Sequence, residues 1–304
     1  MGRVGVVGGS VDYTGAPYYA AAAGLSFGGD LSYVFCEKSA APALKSYSPE
    51  LMVTPFYCAE LEQQQQTSPS ASVIVPFLPR LHALVIGPGL GRNEHAWAIL
   101  EPVILAAVAA NLPLIIDADG LALIEGRLHL IRGYPKCILT PNMVEFGRLC
   151  SAALNSLGAE HEGLRADLQA DMETHIRLRA LCRALDGVTV LVKGPKDMVS
   201  DGKFEDVLEI DEPGSPRRCG GQGDLLAGSL GVAAHWAFNR FPDKANDTNE
   251  STPPPAMLAC VLASVVVRRA AGMAFAEKKR ATTTPDILKH IGAAFETVVP
   301  CVIE

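Results

Sequence analysis

Short apolar runs alternate with longer segments rich in alanine and leucine along most of the chain. The short runs contain many valines and isoleucines, which is typical of strands buried on both faces, and the longer segments have the length of helices. The predicted strands are residues 4–7, 31–35, 83–86, 114–117, 137–139, 188–192 and 196–200. The predicted helices are residues 17–26, 94–110, 142–152, 164–185, 224–238, 255–276 and 285–297.

This alternation of strands and helices predicts an α/β fold. We expect a three-layer α/β/α sandwich with a central, mostly parallel sheet, formed as a single domain over residues 1–304. Three polar segments interrupt the pattern, at residues 61–72, 155–162 and 241–255. Because strands and helices continue on both sides of each segment, we interpret them as surface insertions rather than linkers.

The composition is that of a folded protein whose partner is a small molecule. Hydrophobic residues make up 49% of the 304 residues and charged residues 19%, which excludes a disordered chain. The formal net charge of −7 gives no general attraction to nucleic acid or to an anionic membrane, so neither is an expected partner. The eight cysteines are scattered without metal-ligand spacing, which predicts reduced, mostly buried thiols and no protein-built metal site.

The apolar stretches do not predict a membrane span. Residues 103–116 are interrupted by Asn111 and Pro113, and residues 258–267 end at Arg268. Both are shorter than the roughly 20 residues that a membrane-spanning helix needs. Since the first predicted strand begins almost at residue 1, with no targeting segment before it, we expect a cytoplasmic protein. An organelle is the alternative if such a segment exists outside this chain.

A glycine-rich segment is the strongest candidate for chemistry. The sequence CGGQGDLLAG, residues 219–228, leads into a predicted helix, where glycine N–H groups and the helix N-terminus favour an anion. Asp224 lies in the first helical turn and could accept a proton from a substrate hydroxyl; simple capping of the helix is the alternative. Nothing matches the GxxxxGK[ST] phosphate loop.

A second glycine-rich turn, Gly87-Pro88-Gly89-Leu90-Gly91, follows the predicted strand 83–86. Its GxGxG spacing departs from the GxGxxG dinucleotide fingerprint, and Pro88 removes one N–H donor, although Asp117 ends a later strand as that fingerprint requires. A tight strand-to-helix turn is the alternative interpretation.

Three further positions lie at or just after predicted strands. Asn142 and Glu145 have the spacing of a helix capping box, although ligands also bind at the carboxyl ends of strands in α/β sheets. Lys193 could meet a polyphosphate or remain a solvated surface lysine. Tyr13 could stack on a ligand ring or be buried.

Six segments resemble, in the same order, the motifs of the eukaryotic ATP-dependent NAD(P)H-hydrate dehydratases. They are GGSVDYTGAP, VIGPGLGR, DADGL, TPNMVEFGRL, VKGPKD and CGGQGDLLAG, and the resemblance runs from about Val4 to Ala276. That family is similar in fold to the ribokinase-like kinases, so a ribokinase-like fold is implied. The resemblance also implies ATP and Mg²⁺ as cofactors and hydrated NADH or NADPH (NADHX or NADPHX) as the small-molecule substrate.

The resemblance assigns roles to individual residues. Asp224 would be the catalytic base and would touch the hydrate, while Gly221, Gln222 and Gly223 would stabilise the transferred phosphoryl group. The implied ATP site comprises Lys193, Gly194, Pro195, Lys196, Asp197, Gly214, Ser215, Pro216, Arg217, Arg218, Cys219, Gly220, Gly221, Gln222 and Gly223. The implied hydrate site comprises Gly89, Asn142, Met143, Val144, Glu145, Phe146, Gly147, Arg148 and Asp224.

The implied activity is repair of a damaged metabolite, in which the hydroxyl of the S-epimer is phosphorylated and then eliminated as phosphate. Three alternatives are a small-alcohol or vitamin-precursor kinase of the same fold, a nucleotide-binding protein without catalysis, and a Rossmann dehydrogenase. The sequence leaves open the choice of ATP or ADP, the choice of NADHX or NADPHX, and the oligomeric state, with a homo-oligomer among the alternatives.

Overall fold

The computed structural model describes residues 2–58, 71–242 and 252–300. Within them, nine strands form one sheet in the order β3-β2-β1-β4-β5-β6-β7-β8-β9. Strands β1 to β7 pair in parallel, and β8 pairs antiparallel with both of its neighbours, β7 and β9. Their bounds are β1 Arg3–Val7, β2 Leu31–Glu37, β3 Leu51–Tyr57, β4 Ala83–Ile86, β5 Leu114–Ile116, β6 Cys137–Leu139, β7 Thr189–Val192, β8 Asp197–Ser200 and β9 Leu208–Ile210.

Helices cover both faces of this sheet. In the described ranges the α-helices are α1 Gly15–Phe27, α2 Ala41–Tyr47, α3 Ala71–Ile74, α4 Glu94–Ala109, α5 Asp119–Glu125, α6 Met143–Ser156, α7 Glu162–Asp167, α8 Thr174–Ala184, α9 Gln222–Arg240, α10 Pro255–Lys278 and α11 Thr284–Val298. Short 3₁₀ turns occur at Val75–Arg80, Leu128–Leu130, Ala159–His161 and Lys279–Ala281.

Two separate hydrophobic cores show the three layers directly. Successive residues of one strand point to opposite faces. In β5, Leu114 and Ile116 join a core with residues of α4, α6 and α8, whereas Ile115 joins a core with residues of α1, α9, α10 and α11. The predicted α/β/α sandwich with a mostly parallel sheet is therefore confirmed.

The strand order reverses next to β1, and this reversal places the site. From β1 the chain builds the sheet outward through β2 and β3, then returns to add β4 on the other side of β1. The loops after β1 and β4 therefore lead to helices on opposite faces of the sheet, α1 and α4, and α/β proteins bind ligands at the carboxyl edge beside such a reversal.

Some predicted elements differ from those observed. Strands β3 and β9 and helices α2, α3 and α5 were not predicted, and the predicted helix 164–185 is two helices, α7 and α8, separated by residues 168–173. The segment predicted as an insertion at 155–162 contains the end of α6, a 3₁₀ turn and the first residue of α7. Residues 61–70 and 243–251 of the other two lie outside the described residues. The single-domain organisation over 1–304 stays a prediction.

Helix α10 is apolar for most of its length. Together with the turn after it, to Ala281, it is long and apolar enough to cross a membrane by length and composition, with a mean hydropathy of 1.7. Half of its most apolar stretch of 18 residues is buried inside the protein. Residues such as Ala263 and Ala270 join the core with α9 and α11. This packing is that of a core helix, and the expected absence of a membrane partner stays a prediction.

Candidate active site

The crevice at the carboxyl edge of the sheet brings together segments that are far apart in the sequence. Lys193, after β7, forms a parallel bridge with Asn142, after β6. Its Nζ lies 2.7 Å from Asp117 Oδ1, after β5, and a Cβ placed on Gly223 would lie 3.2 Å from the same Nζ. On the other side of β4, the N–H of Gly9 donates to the carbonyl of Gly89 (3.1 Å).

The N-terminus of α9 faces this crevice. The first helical bond runs from the Leu225 N–H to the Gly221 carbonyl (3.1 Å), so the N–H groups of Gly223 and Asp224 precede it and can bind a ligand. Gly221 has φ +98°, and a Cβ there would lie 2.8 Å from the ring of Tyr19. Only glycine fits this turn without strain, so the predicted anion-binding geometry depends on it.

The loop before α9 is held by its own hydrogen bonds and by the turn after α10. The Cys219 N–H donates to Gln222 Oε1 (3.1 Å), and Cys219 Sγ contacts the Thr282 carbonyl (3.3 Å). Arg217 donates to the Arg280 carbonyl. Gln222 therefore closes the turn that presents the glycine N–H groups, a role that the sequence did not indicate.

Asp224 has the electrostatic environment of a proton acceptor. It is half-buried at the start of α9. Burial, then the charge of Asp117, raise its pKa, Lys193 lowers it, and Asp119 raises it further, so that the pKa of Asp224 is about 7 instead of 3.8. A carboxylate with a pKa near neutral pH holds a proton well enough to act as a general base.

An ion pair lies beneath the crevice. Asp117 Oδ1 accepts hydrogen bonds from Lys193 Nζ (2.7 Å) and Thr140 Oγ1 (2.8 Å). The Asp117 side chain is 2% exposed and the Lys193 side chain 21%, so the lysine is the member of the pair that is partly open to the crevice. Burial alone would lower the pKa of Lys193, but the charge and hydrogen bond of Asp117, together with the charges of Glu145 and Asp224, outweigh it and the pKa is raised. Lys193 is therefore a fixed positive charge beside the anion-binding turn.

The remaining residues of the predicted segment 193–197 shape the turn between β7 and β8. Asp197 is buried, and it accepts hydrogen bonds from the Gly194 N–H (2.9 Å) and Ser264 Oγ (2.5 Å) while pairing with Arg268 (3.2 Å). Lys196 instead pairs with Asp211 at the surface (3.0 Å). Asp197 thus anchors the turn to α10, and a direct contact with ATP is better suited to Lys193.

The predicted hydrate-binding segment 142–148 forms the first turns of α6. Asn142 and Glu145 make the predicted capping box. Val144 is 70% exposed, whereas Phe146 is fully buried under Arg177, so its side chain belongs to the core and offers no surface to a ligand. An open groove of about 550 Å³ continues from Val144 along α6, past Gly147 and Arg148. Arg148 is bonded there to Glu125 (2.7 Å).

The loop after β1 forms the opposite wall of the crevice. Ser10 Oγ donates to the Gly89 carbonyl (3.0 Å), and the side chains of Val11 and Tyr13 are 68% and 58% exposed. The glycine turn after β4 is thus bonded to the β1 loop, and α4 begins only at Glu94. Because Asp117 is buried and paired with Lys193, it is not free to bind a ribose, which rules out the Rossmann interpretation of this turn.

From the sequence, Asp117 was considered only for the dinucleotide fingerprint, and no role was assigned to Thr140 or Tyr19. Asp117 and Thr140 each follow a strand, β5 and β6, and that position was the signal that could have indicated them. Tyr19 packs on Gly221 from α1, and no local pattern indicates it.

Solved structures share this architecture. A protein from Streptococcus mutans matches with a TM-score of 0.70 at 21% identity, covering 97% of this chain and 90% of that one. The ADP/ATP-dependent NAD(P)H-hydrate dehydratase of Bacillus subtilis, co-crystallised with ATP and Mg²⁺, matches with a TM-score of 0.62 at 20% identity, covering 97% and 90%. Ribokinase from Giardia lamblia matches with a TM-score of 0.58 at 14% identity, covering 97% and 99%. At these identities the likeness establishes the ribokinase-like fold.

Several enzymes are more similar to this chain in sequence than these solved structures are. The chain is 46% identical over 295 residues to the ATP-dependent (S)-NAD(P)H-hydrate dehydratase of Bos taurus, covering 97% of this chain and 82% of that protein. Enzymes of the same name from Homo sapiens and Vitis vinifera are 44% and 40% identical, covering 97% and 98% of this chain and 77% and 82% of theirs. A family model described as NAD(P)H-hydrate dehydratase matches residues 4–292. The chain therefore belongs to the NAD(P)H-hydrate dehydratase family.

Proposed function

We propose that this chain uses ATP to dehydrate the S-epimers of hydrated NADH and NADPH, and that Asp224 is the base of the reaction. One observation carries the assignment of the base: a half-buried carboxyl with a pKa of about 7 lies in the first turn of α9, beside the Lys193 ammonium. A base near its operating pKa and a phosphate-binding turn are the two requirements for phosphorylating a hydroxyl.

ATP would bind with its phosphates at the N-terminus of α9. The N–H groups of the first turn and the Lys193 ammonium, close to Gly223, supply positive charge there, in a protein whose formal net charge is −7. The loop from Gly214 to Gly223 would wrap the phosphates, held in place by its bonds to the turn after α10. Local geometry, not overall charge, therefore supports phosphate binding.

The hydrate would bind between the β1 loop and the start of α6. Val11 and Tyr13 on one side, and Met143 and Val144 on the other, expose 45% to 70% of their surfaces. Exposed apolar side chains on both walls of a polar crevice suit a planar ring that carries one reactive hydroxyl. The groove along α6 then offers room for the distant part of a dinucleotide.

The first chemical step is phosphoryl transfer. In the hydrate, a hydroxyl is attached to the ring carbon beside the nicotinamide nitrogen, and hydroxide is a poor leaving group. Asp224 takes the hydroxyl proton as the oxygen attacks the γ-phosphorus, the bond to the β-phosphate oxygen breaks, and ADP leaves. The N–H groups of α9 and Lys193 stabilise the negative charge on the transferred group.

The second step is elimination. The lone pair of the ring nitrogen expels phosphate as the carbon–oxygen bond breaks, and the neighbouring ring carbon loses a proton to restore the double bond. ATP and the hydrate thus give ADP, phosphate, the reduced dinucleotide and one proton that is released to solvent. A hydroxyl kinase and this dehydratase differ in the fate of the phosphoester and can share one set of residues.

The crevice fits Mg²⁺ only as an ion that arrives with ATP. Among residues 2–58, 71–242 and 252–300, no group of three His, Cys, Asp or Glu side chains is placed to hold a metal by itself. Mg²⁺ on a polyphosphate needs only one or two carboxylates, and Glu145, whose charge acts on Lys193, would supply one. The bound ion would neutralise phosphate charge during the transfer.

Replacing the base tests the proposal. We expect Asp224→Asn to lower turnover of NADH hydrate by about 10²–10⁴-fold, the usual effect of removing a general base, while ATP still binds. In the unaltered protein, kcat/KM should rise about tenfold per pH unit below a midpoint near 7 and level off above it, because only the ionised carboxylate accepts a proton. The exposed Asp171 provides a matched control, Asp171→Asn. Equal rates for the two variants would contradict the proposal.

A further inference from the structure

We propose that Asp117 is a positioning residue, which holds the Lys193 ammonium against the phosphate-binding turn of α9 and keeps it from pairing with Asp224. This inference rests on the proposed function for its catalytic consequence, and on the contacts of Asp117 for its geometry. Asp117 is too deeply buried to reach a substrate itself, since its side chain is 2% exposed. It acts on the site through its bond to Lys193 and through the effect of its charge on Asp224.

One carboxylate oxygen of Asp117 accepts two side-chain hydrogen bonds. Oδ1 accepts from Lys193 Nζ (2.7 Å) and from Thr140 Oγ1 (2.8 Å), which come from β7 and β6 on the same side of β5. The second hydrogen bond, from Thr140, fixes the position of the oxygen that Lys193 contacts. Asp117 and Thr140, at the ends of β5 and β6, thus hold the Lys193 ammonium in place close to Gly223.

The backbone at Asp117 is fixed by close contacts. Its N–H donates to the Ile86 carbonyl (3.0 Å), and its carbonyl accepts from the Gly120 N–H (2.9 Å). A Cβ on Gly87 would lie 1.8 Å from that carbonyl oxygen, so only glycine allows β4 and β5 to approach here. The next residue, Ala118, adopts φ +49° and ψ −120°, a costly conformation for alanine. Such strain is retained where surrounding structure imposes it, commonly at functional sites.

The charges around Asp224 show why the position of Lys193 matters. Asp117 and Asp119 come from the end of β5 and from α5, Lys193 from the end of β7, and the Tyr19 hydroxyl from α1; Glu145 of α6 faces Lys193. Three carboxylates act on Lys193, those of Asp117, Glu145 and Asp224, and the 2.7 Å bond assigns it to Asp117. Without that bond, Lys193 would be free to pair with Asp224 and weaken it as a base.

A purely structural ion pair is the competing explanation. Removing one member of a buried pair destabilises a protein by leaving the other charge unpaired. A structural role would lower stability and activity at every pH, and Asp117→Asn would then move the midpoint of the pH profile only through the loss of its own charge. Thr140→Val changes no charge, so a midpoint that moves in this variant reports a movement of Lys193 relative to Asp224.

The test compares Asp117→Asn with Asp201→Asn, which alters a nearly buried aspartate in the turn after β8. We expect Asp117→Asn to lower kcat about 10²-fold, as expected when a charge shifts by about 1 Å, and to move the midpoint of kcat/KM at least one unit below that of the unaltered protein. Asp201→Asn should leave the midpoint in place. Coincident midpoints for Asp117→Asn and the unaltered protein would overturn the proposal.

A second variant covers the case in which Asp117→Asn does not fold. Thr140→Val removes one of the two bonds to Oδ1 and keeps the volume of the side chain, and Thr189→Val is the control because Thr189 is as deeply buried, at the first residue of β7. We expect Thr140→Val to lower kcat at least tenfold more than Thr189→Val does. Equal losses would overturn the proposal.

A measurement without turnover separates this proposal from the proposed function. The difference in melting temperature between Asp224→Asn and its parent, followed against pH, reports the titration of Asp224 in the folded protein. We expect its midpoint to fall when Thr140→Val, which removes no charge, is added to both proteins. If it falls while no hydrate is turned over, the positioning role stands and the proposed function fails; if it does not move, the positioning role fails even in an active enzyme.

Discussion

Replacing Asp224 by asparagine should make the protein more stable at alkaline pH while it removes activity. Burial and the charge of Asp117 raise the pKa of Asp224 to about 7, compared with 3.8 for an ordinary aspartate. A carboxyl whose pKa is higher in the folded protein binds its proton more tightly there than in the unfolded chain. Folding stability is therefore lost as the pH rises from about 4 to about 7, and Asp224→Asn, which cannot ionise, avoids this loss.

The size of the effect follows from the shift. A difference of about three pKa units corresponds to about 4 kcal/mol at 1.36 kcal/mol per unit. Between pH 5 and pH 7 the loss covers about two of those units, or about 3 kcal/mol. In a chain of 304 residues, 1 kcal/mol changes the melting temperature by about 2 °C, so the advantage of the variant should grow by about 6 °C between pH 5 and pH 8.

Differential scanning fluorimetry of the unliganded protein at half-unit pH steps measures this difference. The change from aspartate to asparagine also has effects that do not depend on pH, so the pH-dependent part of the difference is the quantity of interest. Asp171→Asn, at an exposed position, should give a difference that stays flat over the same range. A flat difference for Asp224→Asn as well would refute the electrostatic account of the base.

Three other substitutions separate binding, folding and substrate recognition. Gly221→Ala should weaken ATP binding at least tenfold in calorimetry, because its φ of +98° and the ring 2.8 Å from the new Cβ distort the turn, whereas Gly126→Ala, with no neighbour within 4 Å, should not. Asn93→Ala removes the cap of α4 and should lower stability by about 1 kcal/mol in urea unfolding with turnover unchanged; a lower kcat would contradict its purely structural role. Val144→Asp should raise KM for the hydrate at least fivefold, and Leu105→Asp, also exposed, should not.

The sheet was largely predictable because buried parallel strands have continuous apolar sequences. The strand β3 was missed since Pro55 lies inside it, and proline is tolerated there because β3 is an edge strand. The strand β9 is three residues long and follows a charged segment, so its sequence carries too little apolar pattern to identify it.

The site was predictable where its chemistry is local in sequence. Asp224 and the glycines before it form one turn, so residues that are adjacent in the sequence are also adjacent in the site. The burial of Phe146 could have been predicted as well, because Phe146, Leu149, Cys150 and Ala153 form a buried stripe at helical spacing on α6. The assignment of Phe146 to the hydrate was based on resemblance to a contiguous segment, which does not distinguish the faces of a helix.

The electrostatics of the site were not predictable from local sequence. Lys193 and Asp117 are 76 residues apart, and the bond between them requires β5 and β7 to flank β6 in the sheet. Asp197 was predicted as part of the ATP site. Its partners Ser264 and Arg268 lie on α10, so it anchors the turn between β7 and β8 to that helix. Such contacts depend on strand order and helix placement, which no single motif contains.

The most direct test of the central claim is to incubate the purified protein with chemically prepared NADH hydrate and Mg²⁺, and with ATP, with ADP or with no nucleotide. The absorbance of dihydronicotinamide and the released phosphate are followed together. Absorbance that rises with ATP, with one phosphate released for each dinucleotide restored, is the result that this account predicts. ATP consumption that gives a stable phosphorylated product, or no change in a protein that still binds ATP, would contradict it.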